Sequence, residues 1–152
     1  MAREKVGIVG PPHAGKTVLM GILRSLLPRD IFVVVEGTPD CEGVTGWSFE
    51  ADQELVRSIR HKGKFFEEFV SWVCDSVRNS TMPITLVDLG GMLLDEAGKF
   101  TPHGVKLTAE NERILGECDS YILIASPTYA DAASTWIAEG NRLGLTAFKS
   151  PL

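Results

Sequence analysis

Residues 10–17 read Gly10-Pro11-Pro12-His13-Ala14-Gly15-Lys16-Thr17, the spacing G-x-x-x-x-G-K-[ST]. They stand between two segments of different period. Residues 6–9, Val6-Gly7-Ile8-Val9, form a short uncharged run bounded by Lys5 and Gly10, which reads as a fully buried strand. Residues 16–27 place Leu19, Ile22, Leu23 and Leu26 on one helical face, and Pro28 ends the run. A buried strand that feeds through a glycine-containing turn into an amphipathic helix is the opening unit of an α/β fold.

The rest of the chain continues the alternation. Residues 31–35, Ile31-Phe32-Val33-Val34-Val35, are β-branched and aromatic and read as a second buried strand. Residues 36–47 hold three glycines and a proline and read as a long loop. Ser48 is placed to cap a helix over about residues 50–60 with Leu55, Val56 and Ile59 inward. Residues 65–78 predict another helix, with Phe66, Phe69, Val70, Val73 and Val77 on one stripe. Residues 84–87 read as a third strand ending at Asp88, and residues 90–104 as irregular. Thr108 marks a helix start, residues 121–125 a fourth strand, and residues 130–143 a helix with Ala133, Trp136, Ile137 and Gly140 on one side. Residues 145–148 offer a last strand. The pattern predicts an α/β/α sandwich around a mainly parallel sheet of about five strands, in a single domain over residues 1–152.

The octapeptide carries chemistry as well as a turn. A lysine in the first turn of a helix opposes the helix dipole, and a bound anion reverses that penalty. Pro11 and Pro12 lack N–H groups, so donation to an anion falls to His13, Ala14, Gly15, Lys16 and Thr17, with Val18 at the inner end of the set and Gly10 at its mouth. The segment resembles the phosphate-binding loop of the P-loop NTPases, in the GPPGxGK[ST] form of many kinases and ATPases, with His13 where that form has glycine. The resemblance implies a nucleoside triphosphate, ATP or another, bound with Mg²⁺. Lys16 would then neutralise the β- and γ-phosphates, and the Thr17 hydroxyl would ligate the metal.

Residues 83–88, Pro83-Ile84-Thr85-Leu86-Val87-Asp88, resemble the second metal-side element of that superfamily, and Asp88 would join Thr17 at Mg²⁺. The glutamate that follows this aspartate in many additional-strand ATPases is replaced by Leu89. Asp88-Leu89-Gly90-Gly91 instead has the D-x-x-G form of GTPases, in which the glycine N–H reads the γ-phosphate, so Gly91 reads as that sensor. Guanine specificity lacks its N-K-x-D element. Thr128-Tyr129-Ala130-Asp131 has the spacing of a T-K-x-D variant without the lysine, and a helix start is the better reading. ATP is therefore favoured over GTP.

Glu36, Asp40 and Glu42 follow the second strand and belong at the carboxyl edge of the sheet, where ligands of α/β folds bind. Asp40 and Glu36 are the candidates for activating an acceptor hydroxyl or holding metal, and Asp40 joins Lys16 and Asp88 in the expected catalytic set. A solvated turn is the alternative for this loop. Arg57, Arg60, Lys62 and Lys64 form a basic link between two expected helices, and Arg60 is the candidate for a phosphate contact. The alternative is a charged, exposed helix end.

GPPHAGKT, together with Pro39-Asp40-Cys41-Glu42-Gly43, Trp47, the Asp88 to Gly91 run and Ala125-Ser126-Pro127 followed by Trp136, is similar to the P-loop ATPase or kinase-like domain associated with some CRISPR ring nucleases. That similarity implies work beside a nuclease partner, since the chain has no clustered nuclease residues of its own. The net charge of −5 weighs against direct nucleic-acid binding. Three scattered cysteines, Cys41, Cys74 and Cys118, form no CxxC pair, and the three histidines form no chelating pair, which points to a reducing cytoplasm. No run approaches the roughly 18 apolar residues of a membrane span. Hydrolysis of ATP or transfer of its γ-phosphoryl group is the expected activity. A small-molecule or nucleotide kinase, a sensor that barely turns over and a GTPase-like switch are the alternatives. A second copy or a separate protein partner is left open.

Overall fold

The computed structural model describes residues 3–37 and 63–148, with side chains from residue 67 onward in the second stretch. Its elements follow the expected alternation. They are β1 (Glu4–Val9), α1 (Lys16–Leu26), β2 (Phe32–Glu36), α2 (Gly63–Asn79) and β3 (Ile84–Asp88). After these come β4 (Leu93–Leu94), β5 (Phe100–Thr101), β6 (Lys106–Leu107), α3 (Ala109–Leu115), β7 (Ser120–Leu123), α4 (Ala130–Arg142) and β8 (Thr146–Ala147). A 3₁₀ turn, Pro127–Tyr129, leads into α4. The helix expected over about residues 50–60 lies outside the described residues.

Five strands form one sheet in the order β2-β3-β1-β7-β8, and every pairing is parallel. The registers set Val6 beside Leu86 and Ser120, and Val34 beside Leu86. Period-2 alternation then separates two cores. Val6, Ile8 and Leu86 pack with Met20 and Phe32 on the face covered by α1. Val9, Val35, Val87 and Tyr121 pack on the other face with α2, α3 and α4, through Val73, Val77, Ile114 and Trp136. The α/β layering with a five-stranded parallel sheet is as expected.

Three local expectations are corrected. On α1, the buried positions are Lys16 and Met20, with Leu19, Leu23 and Leu27 partly buried, while Val18, Ile22 and Leu26 face out. The helix is rotated so that Lys16 enters the loop before it. Lys16 and Met20, four residues apart, share the inward face, and Ile22 and Leu26 fall outside it.

On α4 the buried positions are Ala132, Trp136, Glu139 and Gly140, and Ile137 is exposed. Glu139 turns inward because its Oε1 accepts from the Leu107 N–H at 2.9 Å while Arg142 bonds its other oxygen. Residues 90–104, expected to be irregular, instead contribute to a three-stranded antiparallel sheet in the order β5-β4-β6. Its hairpin is closed by Asp95, whose Oδ1 accepts from the N–H groups of Ala97 and Lys99, both at 2.9 Å. Strands of two residues are too short to write a period into the sequence. Among the described residues no helix is long and apolar enough to cross a membrane.

Candidate functional site

The site begins where β1 ends. Ile124 donates its N–H to the Val9 carbonyl at 2.9 Å, which carries the chain after β7 alongside β1 to its last residue. Gly10 then turns away with φ 139°, and a Cβ there would stand 2.2 Å from the Ile124 oxygen. Only glycine fits that conformation and that approach. Two more left-handed residues follow, His13 with φ 59° and Gly15 with φ 102°. Left-handed residues in a turn set successive backbone N–H groups around a concavity that suits an anion. His13 is exposed, so its side chain leaves the loop for solvent while its backbone adopts the glycine-like conformation.

Gly15 caps α1, and its carbonyl accepts from the Leu19 N–H at 2.9 Å. Lys16 is the first helical residue. Its Nζ donates to the carbonyls of Gly10 at 2.8 Å and Pro11 at 2.7 Å. The ammonium therefore sits beneath the arch of the loop and is buried there. No acidic side chain occupies the first turn of α1, which leaves the helix start electropositive. Ala14 is half-buried, and Thr17 and Val18 are exposed at the loop's inner end.

Asp88 closes β3. Its register partners are Ile8 of β1 and Glu36 of β2. It lies two residues after Leu86, so it shares the face covered by α1, the helix that opens with Lys16 and Thr17. Asp88 is buried, and its carbonyl accepts from the Gly37 N–H at 2.7 Å. Glu36 directs its carboxylate to Arg24 of α1 at 3.4 Å. Asp88 and Thr17 supply a carboxylate and a hydroxyl, the hard oxygen donors that Mg²⁺ takes beside water and phosphate oxygens. Among the described residues no group of three or more His, Cys, Asp or Glu comes together.

Beyond Asp88 the chain passes against the loop. A Cβ on Gly91 would meet the Pro12 nitrogen at 2.3 Å and the Pro11 carbonyl carbon at 2.7 Å. The Gly90 carbonyl accepts from Asn111 Nδ2 of α3 at 2.9 Å. Asn111 was not among the residues expected at the site, although its sequence carries a signal. It shares the buried stripe of α3 with Ile114 and Leu115, and a buried amide on an apolar stripe calls for a polar partner.

The structure thus brings together Gly10, His13, Ala14, Gly15, Lys16, Thr17, Val18, Asp88 and Gly91 at the carboxyl edge of the sheet. Asp40, Glu42, Arg57, Arg60 and Lys62 lie outside the described residues, as does the side chain of Lys64. Asp131 lies in the first turn of α4, with its carboxylate 2.9 Å from His103 Nδ1, in keeping with the helix-start reading. Burial pushes the Cys118 thiol up to about 12, which keeps it protonated and unreactive. A cavity of about 700 Å³ runs along β2, lined by Arg24, Val33, Glu36, Trp72, Asn79 and Met82 among others. No loop residue lines it, yet Glu36 joins it to the edge that holds Asp88. No known family model matches this chain, and no curated protein does.

Proposed function

We propose that this chain binds a nucleoside triphosphate with Mg²⁺, ATP by preference, and hydrolyses it or transfers its γ-phosphoryl group. One observation carries the reading: Lys16 is held under the loop by the carbonyls of Gly10 and Pro11 at the positive end of α1. A cation buried at a helix N-terminus is disfavoured by the dipole, and a polyphosphate supplies the opposite charge. Backbone N–H groups of residues 13–18 would cradle the β-phosphate, and Lys16 would neutralise charge shared between the β- and γ-phosphates. Thr17 and Asp88 would hold Mg²⁺, which supplies further charge neutralisation. Gly91, pressed on Pro12, would report the terminal phosphate to the small sheet that follows it.

A kinase is the second reading, favoured by the cavity along β2. Its lining includes Glu36, the register neighbour of Asp88, so one end of the cavity reaches the carboxyl edge of the sheet. A nuclease partner of the kind implied by the resemblance to CRISPR-associated domains belongs to the same proposal.

The test is phosphate release and calorimetric binding with ATP, GTP, CTP and UTP in Mg²⁺, beside Lys16→Ala. Turnover or binding that is strongest with ATP and lost in Lys16→Ala is the expected result. A protein that binds none of the four nucleotides overturns the reading. Binding without release of phosphate points to the acceptor-dependent kinase or to a sensor.

A further inference from the structure

We propose that Asn111 is a positioning residue for Gly91: it fixes the Gly90–Gly91 peptide so that the Gly91 N–H serves the terminal phosphate, and so sets the preference for triphosphate over diphosphate. The inference rests on the nucleotide-binding reading above.

The argument starts from peptide planarity. The Gly90 carbonyl and the Gly91 N–H belong to one peptide unit, which is trans, so the two groups point in opposite directions. Whatever holds the carbonyl therefore also aims the N–H. Asn111 Nδ2 holds it at 2.9 Å. A carbonyl only accepts, so the asparagine amide must present its NH₂ group here.

The lock is needed because of the residues on either side. A peptide between two glycines has no Cβ to restrict rotation, and either neighbour reaches most of backbone space. Leu89 is anchored in the core and its N–H donates to the Ile8 carbonyl at 3.2 Å. Gly91 is wedged against Pro11 and Pro12. The peptide between these two fixed points is the unit left to turn, and the Asn111 bond removes that freedom.

Asn111 is itself held. The Thr108 hydroxyl oxygen accepts from the Asn111 N–H at 3.2 Å and caps α3. The next residue, Glu112, bonds Arg142 of α4, which also donates to Glu139 Oε2 at 2.6 Å. Glu139 in turn accepts from the Leu107 backbone. The amide thus projects from a helix braced at its start and along its flank, which is what a positioning group requires.

The test is calorimetry of the full chain with a non-hydrolysable ATP analogue and with ADP, each with Mg²⁺. Asn111→Leu keeps the volume and deletes the donor, and Asn111→Ser keeps polarity but is too short to reach Gly90. Arg113→Ala removes the exposed contact of the same helix with Ser71 and touches neither Asn111 nor Gly90. The expected result is a triphosphate preference in the wild type that falls about tenfold in both Asn111 variants. ADP affinity stays within about twofold, since the other phosphate contacts are untouched, and Arg113→Ala keeps the preference. Should Asn111→Leu fail to fold, Asn111→Ser carries the comparison.

A preference retained in the Asn111 variants, or lost equally in Arg113→Ala, overturns the inference. A wild type that binds both nucleotides equally overturns it while leaving the nucleotide-binding reading standing. A wild type that binds neither nucleotide overturns both.

Discussion

A Cβ built on Gly91 would stand 2.3 Å from the backbone nitrogen of Pro12, so the chain leaving β3 lies directly on the loop leaving β1. Neither backbone can yield as a flexible side chain would. Gly91→Ala is expected to destabilise the fold by about 1–3 kcal/mol through overpacking. It is also expected to weaken nucleotide binding, because the loop must shift to admit the methyl group. Denaturant unfolding and nucleotide titration of the same variant check both. An alanine variant of unchanged stability would mean that this contact is loose in solution.

His13 occupies a left-handed backbone position, φ 59°, which glycine adopts without strain. A β-branched residue tolerates that region worst. His13→Val is expected to cost about 1–2 kcal/mol. His13→Gly is expected to stay within about 1 kcal/mol of the wild type, because relief of strain and added unfolded-state entropy oppose each other. Thermal melts of the two variants side by side decide the matter.

Gly140 sits inside α4, where alanine ordinarily gains about 1 kcal/mol over glycine. Here a Cβ would meet Tyr121 Cε1 at 2.8 Å, and that ring is buried in the sheet. Overpacking at about 1–3 kcal/mol outweighs the propensity gain. Gly140→Ala is therefore expected to lower the melting temperature, and a rise would show that the tyrosine ring moves freely.

The hydrogen bond from His103, more than any other influence, holds the Asp131 carboxyl below its ordinary value. A folded-state value below the unfolded one, near about 3.9, makes the pair stabilising above that pH. The contribution is lost as the pH falls through the folded value, below about 4. The melting-temperature difference between wild type and Asp131→Asn should thus be present near neutral pH and vanish in that acid window. Nucleotide preference should not change, because the Asp131 carboxylate is engaged by His103.

Much of the candidate site's local geometry was legible because its signals are local. The glycines at positions 10 and 15, Lys16 and Thr17 lie in one octapeptide, and Asp88 ends an apolar strand. The glycine-like backbone of His13 follows from its place in that pattern. Asn111 was harder to see, because its partner Gly90 is 21 residues away and no spacing rule connects them. The inward face of α4 was misread for a related reason. Hydropathy ranks Ile137 above Glu139, but the Leu107 N–H and Arg142 give Glu139 partners that repay its burial.

The amino-acid order alone determined the strand–loop–helix unit, the parallel α/β layering and the residues of the loop between β1 and α1. These rest on short-range periodicity and on backbone conformations that particular residues permit. Tertiary structure alone decided the rotation of α1 about Lys16, the small sheet after Gly91, and the meeting of Gly91 with Pro12 and of Gly90 with Asn111. Each of these depends on groups distant in sequence that compete for the same space or the same hydrogen bond. Such competition is settled only when the whole chain packs.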